Sequence, residues 1–102
     1  MNILRMPEVK RRRGLKSDAS VYNEVRDGLF TSGVAISQRA KGWPDYEVDA
    51  INSARVAGKS EAEIRELVNR LHVKRQEVVE IRELVTDLHA RRHEALNLEV
   101  QK

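Results

Sequence analysis

The residues best suited to chemistry in this sequence are cations, and they cluster near its beginning. Four of them follow one another in the segment VKRRRGLK, residues 9–16. Guanidinium and ammonium groups bind phosphate through charge-assisted hydrogen bonds, so this run fits the backbone of a nucleic acid. A solvated helix face is the alternative interpretation of so short a run. We predict that phosphates are bound by Lys10, Arg11, Arg12, Arg13 and Lys16.

Charge is distributed unevenly along the 102 residues, whose net charge is +3. Residues 1–43 carry nine Lys or Arg against four Asp or Glu, whereas residues 44–102 carry ten against twelve. Such an asymmetry indicates a basic binding portion attached to a more neutral one. The short helices and the hairpin that local signals predict all lie within 1–58, so we expect two domains, a DNA-binding domain at 1–58 and a helical extension at 59–102.

Local signals predict the elements that hold these cations. A helix is predicted at about 7–13, because a proline occupies its first position and Gly14 follows its last. A second helix, at about 18–27, begins at a cap formed by Ser17 or Asp18. Two short helices separated by a turn that contains glycine are typical of a helix-turn-helix.

The second helix has two different faces. Val21 and Val25 lie four residues apart and share the side that would pack on the core. The opposite side is polar, as a helix that reads the major groove must be. We predict that it contacts bases through Ser20, Asn23 and Arg26.

A β-hairpin and a third helix follow. Alternating residues predict short strands near 34–36 and 41–43, and a basic hairpin beside a helix-turn-helix is a wing that reaches a phosphate or the minor groove. We expect DNA contacts from Gln38, Arg39 and Lys41, and a core position for Trp43. A proline then begins a helix at about 44–57.

These segments resemble the AlpA-type prophage regulators, which are related to MerR-type and excisionase winged helices. The resemblance covers residues 5–51 and is carried by RMPEV, by GL in the turn, by SVYNEVRDGLF and most specifically by RAKGWPDYEVDA. The turn segment LKSDASVY is one residue longer than is usual in the family, and Asn23 occupies a position that is commonly basic. The resemblance implies DNA binding near integrase or excision genes, without catalysis.

The extension contains a repeat, IRELVNRLHVKR at 64–75 and IRELVTDLHARR at 81–92. Its heptads predict a long coiled-coil-like helix that forms oligomers through Ile64, Leu67, Leu71, Val78, Ile81, Val85 and Leu88. The apolar stripe is wider than a simple dimer needs, so either more helices join or part of the stripe packs on the winged helix. A helical hairpin with its bend near 72–76 is a further alternative.

The composition excludes several other classes of protein. There is no cysteine and no apolar run long enough to span a membrane, so we expect a soluble cytoplasmic protein without zinc–sulfur sites. His89 and His93 lie four residues apart, but the charged surroundings disfavour a metal. We expect neither an enzyme nor a cofactor.

The sequence therefore predicts a mainly α fold, with three short helices and a wing followed by a long helix. We expect a sequence-specific transcription regulator of prophage type that binds double-stranded DNA as a homo-oligomer. One alternative is an architectural excisionase that recruits integrase. The other is an interaction adaptor that works through its helical tail.

Overall fold

The computed structural model describes residues 1–77, which form short strands and helices. In chain order the elements are β1 (Ile3–Arg5), α1 (Met6–Arg13), α2 (Asp18–Arg26), β2 (Val34–Ala35), β3 (Lys41–Pro44) and α3 (Asp45–Val56). The chain divides into two compact units, Met1–His72 and Val73–Lys102. A fourth helix, α4, covers 61–72 of the first unit, and residues 73–77 of the second unit are also helical. The mainly α fold with a small winged domain is confirmed.

The turn between α1 and α2 follows from its residues. Gly14 has a φ of 69°, a left-handed conformation that residues with a Cβ rarely adopt. It ends α1, because its N–H donates to the carbonyl of Arg11 and the N–H of Leu15 donates to that of Lys10. Three residues later the hydroxyl of Ser17 accepts from the N–H of Ser20 at 3.1 Å and caps α2. Both helices lie within one residue of their predicted bounds.

A three-stranded antiparallel sheet in the order β1–β3–β2 supports the wing. The predicted hairpin is formed by β2 and β3, and its turn is closed by a hydrogen bond from the N–H of Ile36 to the carbonyl of Ala40 at 2.9 Å. Strand β1 was not predicted, and it pairs along the other side of β3. A Cβ at Gly42 would overlap both Ile3 and Ile36, so glycine lets these two side chains meet across the middle strand.

Trp43 lies at the centre of the core, as predicted, and is fully buried. Its indole stacks on Phe30 with 6.1 Å between ring centroids, and Nε1 donates to the carbonyl of Thr31 at 2.7 Å. Each of the first three helices adds buried aliphatic residues to this aromatic pair, namely Val9, Val21, Val48 and Ile51. A single core thus holds the helices and the sheet together.

The core also includes α4, which the sequence assigned to a separate domain. Ser60 and Glu63 form a capping box, and the N–H and hydroxyl of Ser60 hold the pKa of the Glu63 carboxyl below its usual value. The helix that begins there buries Ile64, Val68 and Leu71 in the core of the first unit. The first compact unit extends from Met1 to His72, and the apolar face of α4 enlarges a core that has few aromatic residues.

We expect Ile64→Ala to destabilise the protein by about 2–5 kcal/mol, because it leaves a cavity in the core. Asn69→Ala, an exposed change on the same helix, is the matched control and should alter stability by less than about 0.5 kcal/mol. Urea denaturation of the full chain measures both. Equal effects of the two variants would contradict the assignment of α4 to the core.

Candidate nucleic-acid interface

The outward face of α2 presents two of the three residues that the sequence assigned to base reading. Val21 is fully buried beneath the helix, while Asn23 and Arg26 are exposed. Arg26 lies 3.4 Å from the carboxylate of Asp27, a contact loose enough to leave most of its donors available. Ser20 is half-buried, and its hydroxyl lies 2.9 Å from that of Ser17, so it belongs to the helix cap.

The wing stands beside this face. Gln38, Arg39 and Lys41, which the sequence analysis assigned to DNA contacts, are all exposed. The ammonium group of Lys41 lies 6.0 Å from the ring centroid of Tyr22, which couples the base of the wing to α2 by a cation–π interaction. Sequence reasoning did not give Tyr22 this role, because the contact depends on how the hairpin packs.

Arg11 and Arg12 are the exposed cations of the basic run, and both bind Glu8 one turn earlier. Arg11 contacts its carboxylate at 2.5 and 2.9 Å, and Arg12 contacts it at 3.1 Å. These hydrogen bonds lower the pKa of Glu8 to about 2 and raise that of Arg11. Glu8 is therefore ionised throughout the physiological pH range, and a phosphate would compete with it for the two arginines. Arg12 also lies 3.5 Å from Asp49 on α3.

The two lysines of the predicted phosphate set differ in their surroundings. Lys10 is half-buried and forms a 2.8 Å ion pair with Asp18, in the first turn of α2. It therefore joins the two helices of the motif. Lys16 is exposed in the turn between them, where it is accessible to a phosphate.

Arg13 departs from the sequence prediction, because its side chain points inward and is only 5% exposed. It forms an ion pair with Glu24 of α2 and donates to Asn52 Oδ1 of α3 at 2.6 Å. Its guanidinium carbon lies 5.2 Å from the centroid of the Phe30 ring. A group held in this way is unavailable to a phosphate. The spacing contained the signal, since Arg13 follows the buried Val9 by four residues and shares its face of α1.

A basic groove separates the carboxyl ends of α1 and α3. Its volume is about 540 Å³, and its lining includes Arg11, Arg12, Asn52 and Arg55. Asn52 fixes its floor by donating from Nδ2 to the carbonyl of Arg12 at 2.9 Å. Arg55 is exposed, and sequence reasoning missed it because α3 was given only a packing role.

The predicted oligomer interface falls into two groups. Ile64 and Leu71 are buried in the core of the chain itself, and Leu67 packs against that core. Part of the stripe therefore packs on the winged helix. Ile64 and Leu71 are not available to a second copy without opening the core, whereas Leu67 remains half-buried. The rest of the stripe lies outside the described residues, namely Val78, Ile81, Val85 and Leu88.

The described residues contain no cluster of three potential metal ligands from His, Cys, Asp or Glu. His89 and His93 lie beyond them. None of the helices described is both long enough and apolar enough to cross a lipid bilayer.

Residues 2–56 match the family model described as "Prophage CP4-57 regulatory protein (AlpA)". The match covers more than half of the chain and coincides with the segment from β1 to the end of α3. No curated protein and no solved structure matches the chain significantly.

We expect Arg13→Ala to destabilise the protein by about 3 kcal/mol, because it leaves the Glu24 carboxylate without its partner in the interior. The neighbouring change Arg12→Ala is the matched control and should have a far smaller effect, since its ion pairs are solvent-exposed. The free energy of unfolding in urea compares the two variants. If Arg12→Ala were as destabilising as Arg13→Ala, the inward role of Arg13 would be wrong.

Proposed function

This chain belongs to the AlpA family of prophage regulatory proteins, and we propose that it acts by sequence-specific binding to double-stranded DNA through α2 and the wing. The observation that carries the proposal is the outward face of α2. Asn23 and Arg26 are exposed there, while the opposite face of the helix is fixed in the core. A rigid helix with free hydrogen-bonding groups, beside a basic hairpin, has the form that major-groove recognition requires.

The dimensions of α2 suit the groove. With its side chains an α-helix is about 10–12 Å across, and the major groove of B-DNA is about 12 Å wide, so α2 can enter it. Asn23 can form a bidentate pair with adenine, and Arg26 can do the same with guanine. Arg39 and Lys41 would then contact the sugar–phosphate backbone beside the groove. No step in this mechanism involves catalysis or a cofactor.

The surrounding cations would supply affinity that does not depend on sequence. Lys16 is exposed in the turn, whereas Arg11 and Arg12 would exchange part of their contact with Glu8 for a phosphate. Because contact with Glu8 is lost in this exchange, each phosphate contact adds less to the binding free energy than it would with an isolated arginine. Glu8 would thus moderate the affinity of the protein for DNA in general.

Assembly into a homo-oligomer forms part of the proposal. A single short recognition helix makes few base contacts, and a second module one helical turn away raises both affinity and specificity. Because Ile64 and Leu71 are used in the core, the interface would depend on the later heptad positions. An excisionase that recruits integrase in the cytoplasm would use the same domain. Its DNA sites would be tandem direct repeats at an attachment locus, whereas those of a regulator would form an inverted repeat at a promoter.

We expect Asn23→Ala and Arg26→Ala each to lose about 1–3 kcal/mol of discrimination between the preferred and the wrong base pair. The matched control is Arg70→Ala, which removes an exposed arginine from α4. Binding titrations on a duplex selected from a random pool, and on its single-base variants, measure the effect. Unchanged sequence preference in both α2 variants would refute base reading by this helix.

Glu8→Gln should strengthen binding to all DNA sequences and steepen the salt dependence, because it frees Arg11 and Arg12 for phosphates. Glu66→Gln removes one negative charge from α4 and serves as the control for net charge. Since the pKa of Glu8 is about 2, lowering the pH from 8 to 5 should not reproduce the effect by protonating it. If DNA affinity rose equally in both variants, the gain would be due to net charge alone.

A further inference from the structure

The wing and the basic groove lie on opposite sides of α2. Tyr22 and Glu24 are two residues apart, which places them about 200° apart around the helix. Tyr22 lies under Lys41 of the wing, and Glu24 is paired with Arg13, which lines the groove. Asn23 lies between them on the outward side and is exposed. Across the reading face, the order is therefore wing, base-reading residues, groove.

Four of the seven residues that line the groove are arginines, and none of the seven is acidic. Arg11 and Arg12 both form ion pairs with Glu8, and Arg12 also contacts Asp49. The carboxyl ends of α1 and α3 contribute a further partial negative charge, which these arginines offset. Within residues 1–77, Arg55 forms no ion pair, so all five of its N–H donors are available.

A helix that occupies the major groove has one sugar–phosphate strand on each side of it, about 12 Å apart. The wing can contact only one of them. We propose that the groove between α1 and α3 binds phosphates of the other strand, with Arg55 as its principal contact and Arg11 beside it. This inference rests on the proposed DNA-binding function and extends it, since it assigns to α3 a role in binding as well as in packing.

The salt dependence of binding tests the contact. Arg55→Gln in the full chain should reduce the log–log slope of affinity against salt by about 0.9, the value for one lost phosphate contact. From 50 to 200 mM salt the wild type would then lose about three- to fourfold more affinity than the variant. Arg70→Gln is the matched control and should keep the wild-type slope. Circular dichroism verifies that both variants are folded.

Neutral methylphosphonates, placed one at a time along each strand of the selected duplex, locate the contact. A methylphosphonate at certain positions of one strand should weaken DNA binding by the wild type but not by Arg55→Gln. Arg39→Gln should lose its sensitivity on the other strand, which the wing contacts. This pattern would distinguish the groove from a general effect of positive charge.

An unchanged salt slope and unchanged methylphosphonate sensitivity in Arg55→Gln would overturn the groove assignment. If Asn23→Ala still lost base discrimination in that case, the proposed function would stand without the groove. If Arg55→Gln and Arg39→Gln lost sensitivity at the same phosphates of one strand, the placement of the wing and groove on opposite strands would be wrong. Absence of any measurable DNA affinity in the wild-type protein would overturn both proposals.

Discussion

The buried guanidinium of Arg13 joins the three helices of the winged domain. It is attached to the end of α1, pairs with Glu24 on α2 and donates to Asn52 on α3. Removing a charge from water is costly unless hydrogen bonds and an opposite charge replace the solvent. Those partners lie on different helices, so the burial of Arg13 is stable only when α1, α2 and α3 have one relative orientation. That orientation determines where Asn23 and Arg26 point.

The sheet fixes the wing in relation to this helical frame. Trp43 of β3 stacks on Phe30 and donates to the carbonyl of Thr31, in the segment between α2 and the wing. Its strand neighbour Lys41 lies over Tyr22 on the adjacent side of α2. Two contacts separated by one residue thus tie the hairpin to the core and to α2. The proposed DNA-binding surface is therefore held by the buried Arg13–Glu24 pair on one side of α2 and by the exposed contact between Lys41 and Tyr22 on the other.

Much of this fold could be predicted from the sequence because its signals are local. The left-handed Gly14, the Ser17 cap and the capping box at Ser60 are each recognised within a few residues, and all of them occur in the structure. Strand β1 could not be predicted in this way, since three residues form a strand only when β3 is present beside them. The same holds for α4, because the stripe that contains Ile64 would suit a second copy as well as the chain's own core.

The candidate site shows the same division between local and distant information. Asn23 and Arg26 are exposed where the helical period predicted them. Residue type alone could not separate Arg13 from Arg11 and Arg12, because what distinguishes them is contact with Glu24 and with Asn52, 39 residues away. Arg55 was missed for a similar reason, since it meets the basic run only after α3 has packed against α1.

The most direct test of the account is an NMR titration of the full chain with a duplex selected from a random pool, followed through the backbone amide resonances. The largest shifts should occur in α2 and in the wing tip at 37–41, while the exposed residues of α4 should change little. Unchanged resonances in α2 and in the wing would contradict the account, and an absence of shifts throughout the chain would favour an adaptor that works through its tail.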